Sequence, residues 1–136
     1  MQVSSAVRQC LEKEDRTNVL ATSDRAGNVN VAMFGSYRLM DDSSVIVMLS
    51  DNRTFANLRE NPHAACMVMI HGTSGMGTQG CRLYMKVRSI EDEGERWTEV
   101  RQSIRKRIGN AADMLRHLVW FDIVEARPIL DLGQGI

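Results

Sequence analysis

Apolar positions change period along the chain. Val3, Ala6, Val7, Cys10 and Leu11 recur at helical spacing with charges between them, predicting an amphipathic first helix capped by Ser4 or Ser5. The pattern then turns β-rich. "NVLATSD", "VNVAMFGSYRLM" and "SVIVMLS" predict three strands, separated by the turn-like stretches "DRAGN" and "DDSS". Gly27 offers a residue that tolerates positive φ, so the first two strands are expected to pair as a hairpin. "TFANLREN" predicts a short helix that stops where Pro62 forces its predecessor out of helical geometry. "HAACMVMI" reads as a strand buried on both faces. In "CRLYMKVRSI", Cys81, Leu83, Met85 and Val87 alternate with Arg82, Tyr84, Lys86 and Arg88, the periodicity of a half-buried strand.

A second amphipathic helix is predicted over "ERWTEVRQSIRKRI", with Trp97, Val100, Ile104 and Ile108 on one stripe. Its acids come early and its bases late, and Gly109-Asn110 suits its end. A shorter helix, "AADMLRHL", precedes a last strand, "VWFDIVEA", whose regular pairing Pro128 should end or confine to an edge. Five or six antiparallel strands with a few covering helices predict a mainly β (α+β) fold, a small barrel. The βαβα alternation of a doubly wound sheet is missing. With no repeat and no linker, residues 1–136 are expected to form a single domain.

The stretch "GMGTQG", Gly75 to Gly80, fits the G-x-G-x-x-G spacing of dinucleotide-binding turns. That turn works by opening a helix, whose N-terminus receives the pyrophosphate. Here the next segment alternates as a strand, so the fingerprint fails. An ordinary solvent loop and a backbone approaching a ligand both remain open readings.

"SDNRTFANLRENP" has more to offer. A strand ending near Ser50 leads to a helix starting near Arg53 or Thr54, whose first-turn amides suit an anion. A cation is unfavourable at that end unless an anion shares it. The Arg53 fork and the Thr54 hydroxyl could both hold phosphate oxygens. The alternative is that Asp51 or Asn52 caps the helix while Arg53 extends into water.

Composition removes several function classes. Seventeen basic residues balance seventeen acidic ones, which argues against nucleic acid and against an anionic membrane as partners; "RQSIRKR" lacks nearby aromatics and reads as a solvated helix end. No apolar run is long enough for a membrane span, and three cysteines without framework spacing suit a reducing compartment, so a cytoplasmic protein is expected. His63, Cys66, His71 and Cys81 follow no zinc spacing, and no base is placed beside a cysteine; neither a metal site nor a cysteine nucleophile is expected.

"LATSDRAGNVNV", "GSYRLMDDSSV", "NRTFANLRENP" and "GMGTQGCRLYMKV", in that order and spacing, resemble the pyridoxamine 5′-phosphate oxidase-like family of FMN-binding split β-barrels, and most of all its small FMN-binding proteins. The match spans most of the first ninety residues and loosens in the last third, where Trp120 and Phe121 carry it. The resemblance implies a six-stranded antiparallel Greek-key split β-barrel with flanking helices, forming a homodimer with FMN at each subunit interface. It implies that Arg53 and Thr54 grip the phosphate. Met33, Phe34 and Ser36 would lie beside the flavin ring and ribityl chain, and Met48, Leu49 and Ser50 along the isoalloxazine edge. Gly77, Thr78 and Gln79 would reach the cofactor from the other subunit. Met33 and Phe34 fit a core role equally well on physical grounds.

The implied function is that of an FMN-binding flavoprotein, a small oxidoreductase or electron-transfer protein, with NAD(P)H or a redox protein as partner. Pyridoxamine 5′-phosphate oxidation itself is not expected, because "EARPILDLGQGI" has no counterpart of the extra substrate-binding arginine and histidine. Catalytic residues are not identified. The alternative is a non-catalytic module on the same barrel that binds haem, a deazaflavin or another ligand.

Overall fold

The computed structural model describes residues 2–134 and 136. Helix α1 (Ser5–Glu12) starts where Ser4 Oγ accepts the Val7 amide at 3.3 Å, and it buries Val7, Cys10 and Leu11 as its stripe predicts. Strands β1 (Arg16–Ser23) and β2 (Val29–Met33) form the expected hairpin. Asp24 organises its turn. Its Oδ1 accepts the Ala26 and Asn28 amides at 3.0 and 2.9 Å, and Gly27 takes φ +91°.

The strand expected over residues 29–40 is broken. After Met33 the chain leaves β1, and only Arg38–Leu39 rejoin the sheet as β3, paired with β4 (Ser44–Leu49). Ser36 causes the break: its Oγ accepts the Met48 amide at 3.0 Å and donates to the Met48 carbonyl at 3.1 Å. The crossing segment therefore carries the chain from one sheet edge to the other.

Helix α2 (Arg53–Glu60), β5 (His63–Ile70), β6 (Gly80–Glu91), α3 (Glu95–Ile108) and β7 (His117–Pro128) complete the regular elements. The sheet has seven strands in the order β2-β1-β5-β6-β7-β4-β3, with antiparallel pairing throughout. Six strands and a barrel were expected. The extra strand comes from the division at Ser36, and the barrel is open because β2 and β3 do not pair.

Two further expectations need correction. β5 is not buried on both faces: Ala64, Cys66 and Val68 point inward while His63 and Met67 are exposed. The strand buried on both faces is β4. Its Val45, Val47 and Leu49 join the core inside the sheet, and Ile46 and Met48 pack beneath Val100 and Ile104 of α3. Each such side chain contributes about 1.5–3 kcal/mol on burial. The helix expected over residues 111–118 is a 3₁₀ segment, Gly109–Met114; Gly109 at φ +67° ends α3, and pairing of His117 with Leu49 draws the following residues into β7. Pro128 is the last residue of β7, as its missing amide requires. Among the described residues no helix is long and apolar enough to cross a membrane.

Candidate functional site

The end of β4 and the start of α2 form one corner. Asn52 caps α2, accepting the Phe55 amide on Oδ1 at 2.9 Å and donating from Nδ2 to Ser50 Oγ at 3.2 Å. Thr54, Phe55, Asn57 and Leu58 are buried, which directs the helix onto the β1–β2 hairpin. Thr54 Oγ1 accepts Asn30 Nδ2 at 3.2 Å, and Asn57 donates to Thr22 Oγ1 at 3.1 Å. Arg53 stands exposed at the first helical position and has no ion pair among the described residues. The helix is thus capped by Asn52, while its first residue presents an unengaged guanidinium beside first-turn amides.

Behind this corner lies an arrangement that the sequence reading missed. The His117 ring stacks on Phe55, with centroids 3.6 Å apart and planes within 1°. Its Nε2 meets Asp51 Oδ1 and its Nδ1 meets Asp92 Oδ1, both at 2.6 Å. Arg116 Nε adds an ion pair to Asp51 at 3.6 Å. Burial disfavours the charged ring, but the hydrogen bonds to Asp51 and Asp92 outweigh it and raise the His117 pKa. Asp51 is lowered in turn, first by its bond to His117. With a carboxylate at each nitrogen, only the imidazolium can donate both bonds.

The ring-side residues fall into two groups. Met33, Phe34 and Ser36 line a cleft of about 830 Å³ that runs from the start of β1 to α3. Met33 is exposed, and Phe34 is half-buried with its amide donating to the Asn18 carbonyl at 3.0 Å. Met48 and Leu49 are fully buried, and their backbone is committed within the chain: Met48 to Ser36, Leu49 by its carbonyl to the Arg116 amide at 2.9 Å. Of that strand end, only Ser50 stays partly open.

Gly77, Thr78 and Gln79 lie elsewhere. "GMGTQG" does follow a strand and open a strand, with a 3₁₀ turn at Gly75–Gly77 between them. Its ends are tied where Ile70 donates to the Gln79 carbonyl at 2.9 Å and the Gln79 amide to Thr73 Oγ1 at 3.0 Å. Ile70 pairs with Arg16 at one end of β1, whereas α2 contacts Thr22 near the other. One chain therefore holds the glycine loop and the Arg53 corner about six strand residues apart, roughly 20 Å along β1.

The outer face of the hairpin is apolar. Val29, Val31 and Met33 point outward at 83, 64 and 71 % exposure, while Asn30 and Ala32 point inward. Register continues the patch across the sheet: Met33, Val19 and Met67 form one row, and Val31, Ala21 and Ala65 the next. The alternation in "VNVAM" was legible; which face the apolar side chains would take was not.

The three free cysteines are buried and their pKa values shift in different directions: the hydrogen bond from Cys81 lowers Cys10. Burial pushes the Cys66 thiol up to about 12, and donation to Cys10 together with burial raises Cys81 further. Among the described residues no group of three or more His, Cys, Asp or Glu side chains is arranged to hold a metal ion.

Three solved structures share this architecture. An FMN-binding protein from Syntrophomonas wolfei subsp. wolfei superposes with a TM-score of 0.78 at 23 % identity, covering 93 % of this chain and 90 % of that one. The heme storage protein HutZ from Vibrio cholerae gives 0.66 at 19 % identity, covering 94 and 95 %. An F420 reductase gives 0.69 at 16 % identity, covering 91 and 98 %. At these identities the likeness speaks to the fold. No curated protein matches the sequence significantly. The family model for pyridoxamine 5′-phosphate oxidase, however, matches residues 3–129, nearly the whole chain: the protein belongs to the pyridoxamine 5′-phosphate oxidase family.

Proposed function

We propose that the protein is an FMN-binding flavoprotein that works as a homodimer, serving as a small oxidoreductase or electron-transfer protein. The observation that carries this reading is the Arg53 corner. An unpaired guanidinium, the Arg53 and Thr54 amides left uncapped by Asn52 and the Ser50 hydroxyl lie where a strand hands over to a helix, a donor set suited to a phosphate monoester. Met48 to Arg53 is five residues, at most about 17 Å. A ligand whose phosphate met Arg53 could therefore lay a flat ring toward Ser36 and Phe34.

The histidines favour a flavin over haem. His117 has both nitrogens on carboxylates, His71 Nε2 bonds Thr17 Oγ1 at 2.9 Å, and His63 lies exposed at the start of β5. His71 lines the cleft, but with its Nε2 held by Thr17 a haem there would have to break that bond. When bound, FMN would supply the redox chemistry of its isoalloxazine. The chain's own part is to fix the phosphate through Arg53 and to give the ring an apolar surface at Met33 and Phe34; the Thr54 side chain, buried and bonded to Asn30, holds the helix start in place. Gly77, Thr78 and Gln79 would come from the second subunit, because their own chain holds them away from Arg53. NAD(P)H or a redox protein would then deliver electrons.

The visible spectrum of the purified chain, before and after adding FMN, haem or a deazaflavin, tests the cofactor. FMN is expected to bind, and Arg53→Glu to weaken it by about 10- to 100-fold, the worth of a charge-assisted phosphate contact. Equal affinity in that variant would overturn the phosphate site.

A further inference from the structure

The cleft beside Met33 and Phe34 is more elaborate than a flavin ring requires. Its floor lies between the end of α1, the start of β1 and the 34–38 crossing, where Met33 and Phe34 offer apolar surface, and α3 borders it with Ser103 and Arg107 above the buried Val100 and Ile104. One side is thus apolar. Asn18 contributes a polar point to the wall. Only 6 % exposed, it donates Nδ2 to the Phe34 carbonyl at 3.3 Å and leaves Oδ1 with no partner. The Phe34 carbonyl fixes which way round the amide sits, so Oδ1 is an acceptor in need of a donor.

The rim is cationic. Arg16 Nη2 is committed to the Tyr37 carbonyl at 2.8 Å, yet its charge stays at the cleft in a half-buried position. Lys13 and Arg107 also line it, and neither has an ion-pair partner among the described residues. The fourth cation, Arg38, is engaged by Glu99 at 3.3 Å. Of the two acids at the rim, Glu12 is held by Arg8 at 3.2 Å, which leaves Glu14 alone against three cations. Positive charge over an apolar wall of this kind favours a ligand with an apolar body and a negative group.

We propose that this cleft receives the substrate of the site: a flat, largely apolar molecule bearing a carboxylate, sulfonate or phosphate, with an N–H or O–H turned toward Asn18. This rests on the flavin reading above insofar as Met33, Phe34 and Ser36 face both ligands. The anion at the Lys13–Arg107 rim is distinct from the phosphate held at Arg53.

The probe is 8-anilinonaphthalene-1-sulfonate, titrated by fluorescence into the full chain, with neutral N-phenyl-1-naphthylamine as its uncharged counterpart. The sulfonate dye is expected to bind more tightly than the neutral one, to weaken as salt is raised, and to be displaced by 4-hydroxybenzoate but not by 4-hydroxybenzamide. Arg107→Glu and Lys13→Glu should each weaken it about fivefold or more. Should either variant fail to fold by circular dichroism, Arg107→Gln or Lys13→Gln replaces it with a smaller expected loss. Equal binding of both dyes, or charge reversals without effect, overturns the proposal. FMN uptake, followed by absorbance, must survive Arg107→Glu; its loss there would assign the cleft to the cofactor instead. A wild-type chain that ignores FMN yet treats the dyes as expected sinks the flavin reading and supports an anion-selective cleft in its own right.

Discussion

Gly80 explains why the last glycine of "GMGTQG" stands where it does without any dinucleotide. It takes φ +154° as the first residue of β6, and a Cβ built on it would collide with the Val68 carbonyl of β5. Only a glycine lets the two strands close at this point. Gly80→Ala is therefore expected to destabilise the fold by more than about 3 kcal/mol, since backbone must shift and the torsion is strained. Gly77→Ala, with open space around its Cβ position, should cost far less. Urea unfolding of the two variants measures the contrast; a comparable small loss in both would show that the strand pairing yields. At this scale the sequence is half legible. The spacing of three glycines was plain, but the collision that demands the third involves a carbonyl twelve residues upstream.

The start of α2 is held by an element-to-element contact that responds to pH. His117 at the start of β7 stacks on Phe55 in the first turn of α2, and its nitrogens reach Asp51 before α2 and Asp92 after β6. Arg116 faces Asp51 as well, and Arg59 lies over the Phe55 ring at 5.9 Å. The His117 pKa is raised in the folded chain, so its contribution is complete below the unfolded value near 6.5 and is lost as pH rises through the higher folded value. Asp51 is lowered, so from its side the same contact weakens as pH falls toward the carboxylate range. The urea midpoint should accordingly decline as pH rises from the mid-range to alkaline values. His117→Phe, which keeps a ring against Phe55 but cannot be charged, should lose most of that slope; an unchanged slope would assign it to another group. Much of the element pattern was readable beforehand because helical stripes, caps and the Asp24 turn are local. The division of residues 29–40 was not, since Ser36 is bound by Met48, twelve residues on. Nor was the His117 contact, whose partners lie 25 and 66 residues away. Arg53 could be singled out because its chemistry depends on a helix start, which sequence marks well.

If one ligand meets both the Arg53 corner and the glycine loop, as proposed, the whole molecule poses a geometric problem. The Arg53 corner and the glycine loop sit toward opposite ends of β1, about 20 Å apart along the strand, so a ligand touching both within one protomer would have to span that length. The β1–β2 hairpin meanwhile turns Val29, Val31 and Met33 outward, an inverted arrangement in which polar Asn30 faces α2 and the apolar side chains face solvent. An apolar patch continued by Val19 and Met67 is costly to leave in water, and a second copy laid across it would cover it. If that copy also brings its glycine loop to the first chain's corner, assembly and cofactor binding are one equilibrium. Val31→Asp places a charge in the centre of the patch. It should convert the proposed dimer to monomer in sedimentation velocity and, at the same protein concentration, lower the apparent FMN affinity by more than about tenfold. In the wild type the same proposed linkage should make FMN affinity fall on dilution. A monomeric Val31→Asp chain that holds FMN as tightly as the wild type would mean that one chain builds the whole site. A variant that stays dimeric would move the interface to another face, and the glycine loop would then need a different route to the ligand.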